Sequence, residues 1–144
     1  MNGRCGILAV VLLLSSCGVP TDPERSPVIL ACSGTSTAKG ANGDQEKERK
    51  REVYRIDGTK GVIEQWDDKS QAFGSARTGL TLSPTEARFS QDMPALAGIT
   101  SARTVTFDRV SGTVVDENLF SNGGSVTFEA TCKPVNDATT DRKF

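Results

Sequence analysis

The sequence predicts an all-β domain: a small antiparallel meander closed as a barrel or tight sandwich, with one short helix as the competing element. Three observations carry this expectation. Turn signals rich in Gly, Asp, Asn and Ser recur between Gly58 and Gly124 at roughly the eight-to-twelve-residue spacing of strands joined by hairpins. The segment Ser125 to Cys132 alternates cleanly, with Val126, Phe128, Ala130 and Cys132 on one face. Cys32 and Cys132 each share parity with apolar neighbours, so a bridge between them would pin the first strand near the last. Such a pin would help to draw a small sheet closed and remove its edges.

In chain order, residues 1–16 read as an export signal of the lipoprotein type. Arg4 precedes an apolar run from Ile7 to Leu14, then Ser15, Ser16 and Cys17. The run is about half of the ~20 residues that a membrane-crossing helix needs. In this reading Cys17 becomes the lipid-modified first residue; ordinary secretory cleavage at the same small residues is the rival. Gly18 follows the cysteine where an aspartate is absent. By resemblance to enterobacterial lipoproteins, that implies the outer membrane, facing the periplasm. Residues 17–27, with three prolines and no apolar periodicity, read as an extended tether.

The β domain is expected over 28–135. Val28, Leu30 and Cys32 alternate with Ile29 and Ala31 as a short buried strand, and Ser33 to Asp44 reads as a mobile polar loop. Glu46 to Glu52 reads as a charge run. Strands are then expected at Glu52–Asp57, Val62–Trp66, Gln71–Phe73, Gly79–Leu82, Thr104–Asp108, Thr113–Leu119 and Ser125–Cys132. Val114-Val115 spoils the parity of its strand, which points to burial on both sides or a bulge. Ser83-Pro84-Thr85-Glu86 fits a capping box with proline at the first helical position. Strand and helix therefore compete over 84–92, and Pro94 limits any helix. Residues 136–144 read as a polar tail.

Without residues 1–16 the chain keeps 128 residues, with 16 basic and 18 acidic side chains. That is one domain at most. The near-balance argues against nucleic acid as a partner, which needs a strong basic surplus. With Cys5 in the signal and Cys17 lipidated, Cys32 and Cys132 are the candidate disulfide of an exported chain. Two thiolates and no histidine leave a tetrahedral zinc site without its usual ligands.

The absence of histidine also removes the common triads and histidine acid–base chemistry. No phosphate loop or dinucleotide fingerprint is present. Glu64, Asp67 and Asp68 beside Trp66 suggest a sugar site in composition, but adjacent aspartates in a turn do not flank a cleft. Asp44, Glu46 and Glu48 lack the glycine and the terminal glutamate of a calcium loop. No catalytic, metal or cofactor-binding residue is therefore assigned, no cofactor is expected, and the chain is not expected to be an enzyme. Lys47, Arg49, Lys50 and Arg51 are candidate contacts to an anionic surface. Arg109 is expected to serve structure by reaching a carboxylate or a backbone carbonyl. Phe144 ends the chain, but a polar approach to it argues against an integral membrane barrel.

Leu30-Ala31-Cys32-Ser33-Gly34, Phe107-Asp108-Arg109-Val110-Ser111-Gly112, Thr131-Cys132-Lys133-Pro134 and the Lys143-Phe144 ending resemble a group of small exported alphaproteobacterial proteins of unknown function. The resemblance covers roughly residues 28–144 and implies an envelope compartment, a disulfide and a β fold. A looser resemblance is to the membrane-bound inhibitors of c-type lysozyme, which are lipid-anchored, small, all-β and closed by a cysteine pair. Their inhibitory-loop motif is not matched here. The expectation is a lipid-anchored envelope protein with a non-enzymatic binding or structural role, its partners being the membrane and an envelope protein or cell-wall polymer. An inhibitor of a lysozyme-type enzyme is the alternative.

Overall fold

A computed structural model describes residues 27–139; the export signal, Cys17, residues 18–26 and Phe144 lie outside the described residues. The described chain is all-β, with no helix. Its strands are β1 (Val28–Lys39), β2 (Gln45–Asp57), β3 (Val62–Asp67), β4 (Ala72–Phe73), β5 (Arg77–Thr78), β6 (Thr81–Leu82), β7 (Glu86–Leu96), β8 (Ile99–Asp108), β9 (Thr113–Phe120) and β10 (Ser125–Val135). They form one antiparallel sheet in the order β4-β3-β2-β1-β10-β9-β8-β7-β6, with β5 paired to β3.

At its centre β1 lies between β2 and β10, and Cys32 stands directly opposite Cys132. The two form the disulfide expected from the sequence, joining the first strand to the last. Their Cα atoms are 4.0 Å apart, as befits a closely spaced, non-hydrogen-bonded antiparallel pair. The backbone agrees: the Cys132 N–H turns away from β1 and donates to the Gly112 carbonyl at 2.7 Å. A bridge across 100 residues stabilises the fold by up to about 4.7 kcal/mol in the chain-entropy account.

Two residues along the same face, Gly34 pairs with Ala130. A Cβ on Gly34 would lie 2.0 Å from the Glu129 carbonyl oxygen and 2.5 Å from the Ala130 Cα. Only glycine permits so close an approach of two backbones.

Ser33 to Asp44 is not a mobile loop. β1 runs on to Lys39, and only Gly40 to Asp44 turns into β2. This strand can be polar because it is hydrogen-bonded on both sides, and Thr35 and Thr37 favour extended backbone. Glu46 to Glu52 is likewise strand. β3 pairs with β2 only from Tyr54 to Asp57, so the charged half of β2 is a sheet edge. Charged side chains on an edge discourage pairing with other chains.

The helix signal at Ser83 is spent on a strand. The Ser83 hydroxyl does accept the Glu86 N–H at 3.0 Å, as a helix cap would, yet β7 follows it. Ala87 and Phe89 then alternate into the core, and β8 supplies a ladder from Glu86 to Leu96. The register shifts between Met93 and Leu96, where Pro94 sits, the kind of site a strand proline occupies. Val114-Val115 marks neither two-sided burial nor a bulge: Val114 is buried and Val115 exposed, with continuous ladders to β8 and β10.

The sheet is not closed into a barrel by a continuous ladder. It curls until its edges face each other, and residues 77–82 cross between them. β5 pairs with β3, β6 pairs with β7, and the Leu80 N–H donates to the Gly61 carbonyl at 3.1 Å. The concave face holds the main core, including Tyr54, Ile63, Phe89, Val105, Phe107 and Phe128 around Cys32. A smaller cluster lies on the convex face, where Ala31, Val53 and Ala138 are buried with Trp66 and Phe73 against them. The segment read as a polar tail thus starts by packing: Ala138 is 2% exposed.

Gly34→Ala is expected to destabilise the fold by about 1–3 kcal/mol, seen as a lower urea midpoint at unchanged slope, since the clash is with backbone. Equilibrium unfolding of the oxidised protein checks this.

Candidate functional site

Two features of the curled sheet bear on function: a chain of polar side chains across its concave face, and an apolar cleft at one end.

The polar chain crosses four strands. Asp116 on β9 points inward because it keeps the parity of Val114 and faces Phe128 and Val105. It accepts the Tyr54 hydroxyl at 2.8 Å and the Arg103 Nε at 2.8 Å, and Arg103 Nη2 bonds its second oxygen. Arg103 Nη2 also donates to Gln65 Oε1 at 2.9 Å. Gln65 Nε2 in turn donates to Glu52 Oε2 at 2.7 Å, and Lys50 Nζ pairs with Glu52 Oε1 at 2.6 Å. The run Lys50–Glu52–Gln65–Arg103–Asp116–Tyr54 therefore links β2 and β3 on one wing to β8 and β9 on the other.

Its electrostatics favour fixed charge states. Burial, with the charge of Asp116 and the hydrogen bond to it, pushes the Tyr54 phenol far above its usual value, so it stays a donor. Burial pulls Arg103 down, but the hydrogen bond and charge of Asp116 outweigh it, and the guanidinium is held above its ordinary value. Within the run the two carboxylates are paired, Asp116 with Arg103 and Glu52 with Lys50, an arrangement that fixes geometry. The sequence reading missed it. The available signal was charge at inward parity: Arg103 two residues before Val105, and Asp116 two after Val114.

The carboxylates near Trp66 are engaged locally. Glu64 is gripped by Arg55, whose Nη2 donates at 2.6 Å, and that bond holds its carboxyl below the usual range against the opposing effect of burial. Arg55 also lies over the Phe73 ring, 4.3 Å from its centroid, and Phe73 meets Trp66 edge-on at 5.1 Å. Asp67 accepts the Lys69 N–H and the Ser70 hydroxyl, both at 2.9 Å. Asp68 accepts the Trp66 indole N–H at 3.0 Å. Each of these carboxylates is thus taken up by a local partner, which does not support the sugar-site reading. Asp44 is bonded by Asn42, and no cluster suited to a metal occurs among the described residues.

The basic residues do not form one patch. Strand alternation places Lys47, Arg49 and Arg51 on the convex face, across from Thr37, Thr35 and Ser33. Lys50 faces the other way, with Gly34 and Glu52.

The cleft has a volume of about 340 Å³ and lies at the end of the sheet where β1 begins. Val28, Leu30, Ile56, Leu82, Phe107 and Pro134 line it. Its polar side chains belong to the β8–β9 hairpin, and each is held by neighbours. Asp108 accepts the N–H groups of Val110 and Ser111 at 2.8 and 2.9 Å, which hold its carboxyl below the usual range. Arg109 Nη1 donates to the Ser83 carbonyl at 2.5 Å, and the Thr113 hydroxyl bonds that of Ser111 at 2.8 Å. Gly112, at φ 69°, lets the hairpin close beneath them.

Asp116→Asn is expected to destabilise the fold by about 3 kcal/mol or more, because it leaves the Arg103 charge buried without its partner. Tyr54→Phe should cost about 1–2 kcal/mol. In a double-mutant cycle followed by urea unfolding, the two should couple rather than add.

No family model, curated protein or solved structure matches this chain.

Proposed function

We propose that this is a non-enzymatic binding module of the bacterial envelope, held to the outer membrane by a lipid on Cys17. The cleft is its binding site. The observation that carries this reading is positional. Val28 opens β1 and also lines the cleft, so the chain that follows the proposed lipid joins the β domain beside the cleft. An apolar hollow of this size lies within the range of small-ligand sites. The engaged carboxylates and the paired charges of the concave face support a binding role over a catalytic one.

A second reading, inhibition of a lysozyme-type enzyme, is favoured by one feature at the opposite end. The β7–β8 hairpin projects an uncharged tip, Met93 to Ser101, on which Leu96 is 84% exposed. An apolar tip of that kind fits a hollow on a partner.

Growth with labelled palmitate tests the anchor: the label is expected on the wild-type protein and lost in Cys17→Ser. A label that persists in that variant, or is never incorporated, contradicts it. In the same preparation, undiminished lysozyme activity at micromolar excess is expected, and inhibition abolished by Leu96→Asp would favour the second reading.

A further inference from the structure

We infer that the tether-end cleft holds a single acyl chain of a monoacyl lipid, with the lipid's polar end left at the Arg109 rim. This rests on the reading of the module as a binding protein and names its ligand class.

The walls set the chemistry. Val28, Leu30, Ile56, Leu82, Phe107 and Pro134 offer hydrocarbon surface, while Asp108, Arg109 and Thr113 are engaged by the hairpin and by Ser83. A sugar or a peptide buried there would lose its water contacts without replacement, which opposes binding. A hydrocarbon chain loses nothing polar. Among the described residues that line the cleft the one cation is Arg109, whose Nη1 rests on the Ser83 carbonyl, and the neighbouring Asp108 charge is turned into the backbone of its own hairpin. An anionic head is thereby favoured over a cationic one.

The place of the chain ends supplies the source. Cys17 and Val28 are eleven residue steps apart, with ten residues between them, a reach of at most about 36–40 Å when fully extended. A lipid on Cys17 would keep the mouth of the cleft within that distance of the bilayer, where monoacyl lipids are found. The cleft is then a place to hold one such molecule with its chain out of water.

The test uses the full-length oxidised chain carrying Cys17→Ser, so that its outcome is independent of the anchor. Displacement of a fluorescent fatty acid by octanoate, decanoate, laurate and myristate is measured. Affinity is expected to rise about fourfold per added methylene, then level off once the cleft is filled. Val28→Glu and Leu82→Glu, both at partly exposed positions, should each weaken binding at least tenfold with unchanged near-ultraviolet dichroism and unfolding midpoint. Three results would overturn the inference: no saturable displacement by the wild-type cleft, affinity independent of chain length, or equal binding by the folded variants. Tighter binding after residues 18–26 are exchanged for Gly-Ser repeats would overturn it too, by showing that the tether is the occupant. Absence of palmitate labelling, by contrast, would remove the anchor and leave this result standing.

Discussion

Asp116 is the group on which the shape of this molecule turns. A carboxylate at the middle of a concave β face would ordinarily be expelled, because its desolvation is costly. Here it is met by the Arg103 guanidinium and the Tyr54 hydroxyl, and Arg103 passes the contact on to Gln65 and so to Glu52. The strands that supply these residues lie on opposite wings of the sheet. The curled arrangement satisfies all of them at once. Hydrophobic burial of Phe89, Phe107 and Phe128 drives collapse without direction, whereas the polar chain adds a register.

The same curl accounts for the cleft. Because the edges approach without joining in a ladder, residues 77–82 span the gap with one short pairing on each side. Leu82, at the far end of that crossing, faces Val28 and Pro134 across the opening. The disulfide holds the centre of the sheet and so sets where the opening lies, since Cys132 is itself part of its wall. Core, bridge and cleft are consequences of one folded-over sheet.

Much of this was legible in the sequence, and the exceptions have physical causes. The alternation of Val126, Phe128, Ala130 and Cys132 and the two matched cysteines announce the last strand and its partner. Thr35 and Thr37 look like loop because a central strand needs apolar residues only on faces that are covered, and the convex face there is open to water. Glu46 to Glu52 look like a solvated run because an edge strand is protected by charge. The cleft could not be read locally: its walls come from β1, β2 and β6 to β10, and only the curl brings them together. Asp116 was hidden for a related reason. A lone acid beside Val114-Val115 looks like a break in parity until the arginine 13 residues earlier, on the neighbouring strand, is placed against it.

The most direct test is amide hydrogen exchange, read strand by strand, in the paired variant Arg103→Leu with Asp116→Leu. Both charges leave together, so no unpaired ion confuses the outcome. If the polar chain holds the two wings in register, protection should fall first in β3 and at Leu80, whose N–H bridges to Gly61, while the β1–β10 ladder around the disulfide keeps its protection. Unchanged exchange in β3 and at Leu80, or an equal loss throughout the sheet, would contradict the account.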